Sequence, residues 1–223
     1  MMWKLHLRRL LYRRRAVGSA LQKCWQTPLP STGSDWRRVS FLVVDAEMSS
    51  LDVSEGELLS VGWVCVENGA IALDSARHHL IKAQKSVGQS AAIHNLRDCE
   101  LAEADTLIAV QLRFLEAAAG KVLVFHNAAL DLSYLNQLSR RELKAPLLLP
   151  TVDTLLQEKL LLQRRGIAIK PGDLRLQACR GRYNLPPYPA HNALLDALAT
   201  AELLVALARH RSAGKKFRLR QLL

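Results

Sequence analysis

Four acidic residues stand where the surrounding sequence is apolar. Asp45 and Glu47 end the run FLVVDAEM, Asp131 follows the run KVLVFHN, and Asp196 lies one turn into the helical segment HNALLDALATAELLVAL. A carboxylate turned toward a core costs on the order of several kcal/mol unless it is paired or holds a cation. Singly, each acid has a plain explanation as a strand-end turn residue, a first-turn acid favoured by the helix dipole, or an exposed acid. Their recurrence in three separate segments favours a shared chemical role.

Metal binding is the role that suits these carboxylates. Residues 45 and 47 lie two apart on an extended chain, so their side chains leave by the same face. Carboxylates that converge at one edge of a sheet repel each other unless cations lie among them, and hard oxygen ligands select Mg²⁺ or Mn²⁺. Two such ions about 3.5–4 Å apart can activate water and stabilise the leaving oxygen of a phosphoryl displacement. His191, just before the last helix, would then be the general base, because histidine titrates near neutral pH.

The elements that must position these residues alternate between strands and helices. The sequence predicts the order β-β-β-α-β-α-β-α-α, with a hairpin at Asn68-Gly69 between the second and third strands. Helices are expected over about 101–119, 128–143, 154–165, 173–182 and 192–209. This order predicts an α/β fold with a mixed five-stranded sheet, in which three antiparallel strands are followed by parallel crossovers and helices cover both faces.

Two basic segments flank a mildly acidic middle. Residues 1–38 contain nine Lys and Arg against Asp35 alone, and residues 209–223 contain six and no acid. We expect one helix over residues 1–25, followed by a linker at TPLPSTGS (27–34). The predicted division is a basic N-terminal helix and linker (1–38), a main domain (39–210) and a basic C-terminal tail (211–223).

The basic ends favour a polyanion partner, and we expect nucleic acid. Contact of the N-terminal helix with an anionic membrane is a less favoured alternative. The simplest alternative is that the terminal charges are solvated and bind no partner. We expect a cytoplasmic location, although the Arg-rich, acid-free start leaves mitochondrial targeting open. The sequence contains no run of about 18 apolar residues, so it predicts no transmembrane helix. Four scattered cysteines without a C-x-x-C pair argue against a zinc finger or a disulfide scaffold.

Three segments resemble the motifs of the DEDDh branch of DnaQ-like 3'→5' exonucleases: DAEMSSLD, HNAALD and HNALLDALATAELL, in that order within about 39–210. The resemblance implies an RNase H-like fold. It implies two divalent ions, Mg²⁺ or Mn²⁺, bound by Asp45, Glu47, Asp131 and Asp196, with His191 as the base. It also implies hydrolysis of a nucleic-acid strand from a single-stranded 3' end, with release of nucleoside 5'-monophosphates.

Substrate contacts are expected from residues beside the first two motifs and from one short segment between them: Met48, Ser49, Leu51, His94 and Asn127. Met48, Ser49 and Ser50 stand where the family usually has Thr-Thr-Gly or Thr-Ser-Gly, a departure that bears on substrate preference rather than on the metals. Aromatic residues make up only 5% of the chain, so stacking on bases must use a few aromatics or an aliphatic wedge such as Leu51.

Three of the remaining polar residues have competing explanations. Asn127 is predicted first as a helix N-cap and second as a substrate hydrogen-bonding residue. His94, in AAIHNLRD, resembles the family's short I-H-G-I segment near the active cleft, with a surface or packing role as the alternative. Asp153, in VDT, is expected mainly to cap a helix or to support the residues around it.

The favoured function is therefore a metal-dependent 3'→5' exonuclease. DNA is preferred as substrate by likeness to polymerase-associated members, and short or structured RNA is the alternative. The protein partnerships considered are a homodimer and association with a polymerase. A non-catalytic nucleic-acid-binding or scaffold module on the same fold would be expected to lack at least one metal ligand, and all four carboxylates are present.

Overall fold

The computed structural model describes residues 2–86, 96–189 and 191–223. Its strands are β1 (Phe41–Met48), β2 (Leu58–Glu67), β3 (Ala70–Leu80), β4 (Val122–Phe125) and β5 (Thr151–Asp153). They form one sheet in the order β3-β2-β1-β4-β5. β2 is antiparallel to β1 and β3, whereas β4 is parallel to β1 and β5. The predicted mixed five-stranded α/β sheet is therefore confirmed.

The hairpin between β2 and β3 forms at the predicted dipeptide. Asn68 and Gly69 have φ angles of 53° and 71°. Two successive residues in the left-handed region are what a type I′ turn requires, and Asn-Gly is the pair that adopts it most readily. This turn sets the register of the two antiparallel strands.

The helices are α1 (Met2–Tyr12), α2 (Ala20–Gln26), α3 (Asp98–Ala102), α4 (Leu107–Ala118), α5 (Ala128–Leu143), α6 (Thr154–Arg164), α7 (Leu176–Gly181) and α8 (Ala193–Ser212). The last four lie close to their predicted positions. The single helix expected over 1–25 is wrong: Gly18 takes φ of 78°, and Ser19 caps a second helix by accepting from Gln22 N–H. The helix expected over 101–119 is likewise divided, because Thr106 caps α4 by accepting from Ala109 N–H.

Helices cover both faces of the sheet, and β1 shows which side chains meet which layer. Leu42, Val44 and Ala46 lie in a buried cluster with α2, α4 and α5. Phe41 and Val43 lie in the opposite cluster with α8. Because side chains alternate along a strand, residues 45 and 47 continue the face that α8 covers.

The segments expected as linker and tail pack onto the body and onto each other. Trp36 N–H donates to the Phe217 carbonyl at 2.9 Å, and Leu219 N–H donates to the Ser34 carbonyl at 3.0 Å. The side chains of Trp36, Phe217 and Leu219 are buried in the α8 layer, and Leu21 of α2 is buried on the opposite face. Among the described residues, no helix combines the length and hydropathy that a membrane span requires.

Candidate active site

The predicted carboxylates meet at one end of the sheet. β1 ends with Asp45 and Glu47, and the first turns of α5 and α8 supply Asp131 and Asp196. Together with His191, these four side chains line a single cleft of about 980 Å³. The convergence on which the sequence interpretation depends is therefore present.

The start of α8 aims Asp196 back toward the cleft. Asn192 caps the helix, its Oδ1 accepting from Leu195 N–H at 3.1 Å. His191 has a left-handed backbone with φ of 65°, and its N–H donates to Asp196 Oδ2 at 2.7 Å. The histidine and the aspartate are thus held together through the backbone of one tight turn, with the His191 side chain exposed at the cleft.

Close approach of α8 to the sheet depends on Gly62 of β2, which pairs directly with Asp45. A Cβ atom at this glycine would lie 2.3 Å from Leu194 N and 2.4 Å from the Ala193 carbonyl carbon. No side chain fits there, so the helix backbone rests against the strand beside the cluster. Gly62 is not among the residues predicted from the sequence; the available signal is a lone glycine inside the otherwise bulky strand LLSVGWVCV.

Asp153, at the end of β5, fixes the start of α5 and of α6. Its Oδ1 accepts from Asn127 N–H at 3.1 Å and from Leu155 N–H at 2.9 Å, and its Oδ2 accepts from Ala128 N–H at 3.0 Å. One carboxylate therefore satisfies free N–H groups at two helix ends, which confirms the predicted capping role of Asp153. Asn127 occupies the predicted N-cap position with φ of 72°, which confirms the position, but its side chain makes no capping hydrogen bond.

The donor atoms suit hard divalent cations. One carboxylate oxygen from each of Asp45, Glu47 and Asp196 lies within 4.8 Å of the others. Asp131 lies outside that group of three but lines the same cleft. An all-oxygen, all-carboxylate set is what Mg²⁺ or Mn²⁺ prefers. The residues present therefore fit the metal binding that the sequence predicts.

Burial and mutual repulsion raise the pKa values of the cluster. Burial raises the pKa of Asp45 well above its usual range, and the charges of Asp131, Asp196 and Glu47 raise it further. The pKa of Glu47 rises to about 7 through burial and then the charge of Asp196. Burial also raises the pKa of Asp131 to about 7, although the hydrogen bond that Ala46 N–H donates to it lowers the pKa. Burial raises the pKa of Asp196 as well, while the N–H groups of His191 and Asn192 act in the opposite direction.

The residues predicted to contact substrate divide into two groups. Met48 and Asn127 line the cleft. Ser49 instead closes the 49–57 loop, since its Oγ accepts from Glu57 N–H at 2.8 Å. Leu51 is 83% exposed on the same loop and is not among the residues that line the cleft. His94 lies outside the described residues.

The cleft has a further wall, whose residues are not among those predicted from the sequence. The segment between α6 and α7 contributes Ile169, Lys170, Leu174 and Arg175. His126 supports this wall, because its Nε2 donates to the Leu174 carbonyl at 2.8 Å. Two basic residues around a Pro-Gly turn in IKPGDLR were the available signal.

Comparison with known proteins finds a family and several relatives that are similar to this chain in sequence. The family model RNase_T, described as "Exonuclease", matches residues 42–204. A PolC-type DNA polymerase III of Thermotoga petrophila is 27% identical over 78% of this chain and 12% of its own length. The DNA polymerase III subunit epsilon-like protein of Rhodobacter capsulatus is 29% identical over 76% of this chain and 24% of its own. The epsilon subunit of Treponema pallidum is 27% identical over 79% of this chain and 82% of its own. The chain thus spans less than a quarter of the first two relatives.

Solved structures agree with the predicted fold. The zinc-bound complex of E. coli ExoI with single-stranded DNA superposes with a TM-score of 0.66 at 14% identity, over 79% of this chain and 41% of that one. Cell-death related nuclease 4 superposes with a TM-score of 0.63 at 17% identity, over 78% of this chain and 64% of that one. At these identities the similarity shows a common RNase H-like fold.

Proposed function

Because the chain belongs to the RNase_T exonuclease family, we propose that it is a metal-dependent 3'→5' exonuclease releasing nucleoside 5'-monophosphates. The observation that carries this proposal is the convergence of Asp45, Glu47 and Asp196 within 4.8 Å, with Asp131 and His191 lining the same cleft. Burial and mutual repulsion raise the pKa values of these carboxylates, so that holding all of them charged is costly without cations.

The proposed cofactors are two divalent ions, Mg²⁺ or Mn²⁺, held by Asp45, Glu47, Asp131 and Asp196. Such ions, when bound, supply positive charge at a reacting phosphate and lower the pKa of water. His191 is proposed as the general base. Its backbone N–H is held by Asp196 at 2.7 Å, which leaves the exposed imidazole free to take a proton from the attacking water.

DNA with a single-stranded 3' end is the proposed substrate. The relatives named above are called DNA polymerase III proteins, and ExoI is described with single-stranded DNA. Lys170 and Arg175 on the cleft wall offer positive charge to the phosphates of a strand. Met48 and Leu130 offer an apolar surface to the terminal nucleotide, and the exposed Asn127 a hydrogen-bonding amide. Association with a polymerase is proposed from the names of the relatives alone.

A digestion panel tests this function. The purified chain is incubated with Mg²⁺ or Mn²⁺ and 5'-labelled single-stranded DNA, duplex DNA with a mismatched 3' end, or RNA of the same sequence. We expect the single-stranded DNA to shorten from its 3' end, with loss of activity in EDTA. Faster cleavage of RNA than of DNA would favour the alternative function, a 3'→5' exoribonuclease. No hydrolysis of any substrate with either metal would favour a non-catalytic binding module instead.

A further inference from the structure

The outward face of α1 is apolar. Trp3, Leu7, Leu10 and Leu11 are 64, 52, 57 and 73% exposed. Their spacing puts them on one side of the helix, in a stripe about a third of a turn wide. An amphipathic helix on a globular body ordinarily turns such a stripe inward. Here no described residue covers it.

The opposite face of α1 is fixed to the body by a buried arginine. Arg9 is 8% exposed. Its Nε donates to the Leu148 carbonyl at 3.0 Å, and its Nη1 donates to the Trp25 carbonyl at 3.3 Å. Trp25 in turn donates from Nε1 to the Leu147 carbonyl at 2.8 Å. These contacts set the rotation of α1 about its axis, so the outward direction of the stripe is a feature of the fold.

Positive charge lies beside the stripe and just beyond its C-terminal end. The exposed cations are Lys4, Arg8, Arg13, Arg14 and Arg15, on α1 and the turn that follows it. Residues 2–34 contain no acidic residue. Long cationic side chains beside an apolar stripe can lie along an apolar phase and keep their charges in water.

We propose that α1 and the turn over residues 13–15 dock this protein onto an anionic lipid surface. The apolar stripe enters the boundary between headgroups and acyl chains, and the cations contact the lipid phosphates. A nucleic-acid strand would match the cations but would leave four large apolar side chains in water. The combination of both features on one outward face therefore favours a bilayer over nucleic acid.

Docking in this way leaves the acidic cleft accessible. Arg9 and Trp25 are anchored at Leu147 and Leu148, which precede β5. The cleft lies beyond the carboxyl ends of β1 and β4, which run parallel to β5. The membrane-facing helix and the cleft therefore lie at opposite ends of the parallel strands.

Vesicle flotation of the full chain tests the proposal. The probes are vesicles of phosphatidylcholine alone and of phosphatidylcholine mixed equally with phosphatidylglycerol. The double variant Leu7→Gln/Leu11→Gln removes apolar surface without changing charge, and Arg8→Gln/Arg13→Gln removes charge without changing the stripe. The matched control is Leu73→Gln, which alters a 66% exposed leucine on β3. Thermal melting verifies that all variants fold, as expected for substitutions at exposed positions.

We expect wild type and Leu73→Gln to float with the anionic vesicles. The apolar variant should lose roughly 10- to 100-fold in partitioning. The charge variant should lose about 10-fold or more, on anionic vesicles only. Flotation that is unchanged in the apolar variant would overturn the proposal, as would the absence of wild-type flotation. If the wild type fails to float while Arg8→Gln/Arg13→Gln weakens retention of single-stranded DNA, the segment is a nucleic-acid arm.

Discussion

The helix α8 carries two carboxylates in opposite electrostatic situations. Near its middle, Glu202 accepts from the fully buried Arg180 at 2.7 Å and from the Tyr188 hydroxyl at 3.0 Å. In its first turn, Asp196 faces Asp45 and Glu47 across the cleft. Within the described part of the chain, neither Asp196 nor the carboxylates beside it form an ion pair with Lys or Arg.

This difference distinguishes a carboxylate that is paired within the fold from carboxylates that are proposed to bind metal ions. The buried arginine beside Glu202 is compensated by a partner that the same chain supplies, and the pair ties α7 to α8. The cleft instead gathers carboxylates whose pKa values are raised by burial and by one another. A set of this kind is stable with all its charges only when cations come from solution. Carboxylate-to-amide substitutions at the two places should therefore have opposite consequences.

The largest effect is expected for Asp45→Asn. Exonuclease activity with saturating Mg²⁺ should fall by about 10³-fold or more, because a proposed metal ligand is lost. The metal-free protein should melt at the same temperature as wild type or slightly higher, because the amide replaces a buried carboxyl whose ionised form is disfavoured by burial and by its neighbours. Activity assays and thermal melts in EDTA measure the two effects. A variant that keeps wild-type activity would remove Asp45 from the reaction, and a large loss of metal-free stability would make it a structural residue.

His191→Ala probes the one ionisable cleft residue whose proposed task is proton transfer. Turnover should fall by about 10²–10⁴-fold, the range typical of a lost general base. Metal affinity should change little, because the contact of His191 with Asp196 is made by its backbone N–H. Single-turnover assays across a Mg²⁺ titration separate the two quantities. Unchanged turnover would exclude His191 as the base.

Glu202→Gln makes the same chemical change at the paired site. It leaves Arg180 fully buried without its countercharge, so the free energy of unfolding should fall by about 3 kcal/mol. Urea denaturation of wild type, Glu202→Gln and Asp45→Asn in EDTA gives the comparison directly. If the two amide variants are equally destabilised, the distinction between paired and unpaired carboxylates does not hold.

Much of this arrangement follows from the sequence, because the governing patterns are local. Strand alternation put Asp45 and Glu47 on one face, and the Asn68-Gly69 turn predicted the hairpin. The hydrogen bonds from Asn127 and Ala128 to Asp153 join segments distant in sequence, as does the support of Leu174 by His126, and neither contact carries a spacing rule. The same holds for the packing of residues 27–38 against the C-terminal segment. Sequence also gave no measure of how near α8 comes to β2, which depends on Gly62.

Gly62→Ala tests whether the geometry of the carboxylate cluster depends on the close approach of α8 to β2. The new methyl group would collide with backbone atoms of Ala193 and Leu194, which cannot yield as a flexible side chain would. We expect α8 to shift outward and move Asp196, with activity falling about 10- to 100-fold. The apparent Mg²⁺ affinity should weaken in parallel. Leu73→Ala, at an exposed position on the neighbouring strand β3, is the control for a substitution in the sheet away from the cleft. Equal activity in the glycine variant and wild type would show that close approach is not needed.

A change of pH is expected to have the smallest effect. It tests the comparison between the paired and the unpaired carboxylates without altering a contact. Glu47 and Asp131 have pKa values raised to about 7, so the folded metal-free protein favours their neutral forms. The stability they contribute is full below the ordinary carboxylate pKa near 4 and is lost as the pH rises through about 7. Since the cleft is partly open to solvent, which screens these charges, the loss between pH 5 and pH 8 should be about 1–2 kcal/mol, or roughly 5 °C in melting temperature. Asp45→Asn should flatten this slope because it removes a carboxyl whose own pKa is raised well above its usual range, whereas Glu202→Gln should leave the slope as it is. Saturating Mg²⁺ should reverse the trend, since cations bind the deprotonated carboxylates. Metal-free wild type that melts higher at pH 8 than at pH 5 would contradict the raised pKa values and, with them, the need for cations in the cleft.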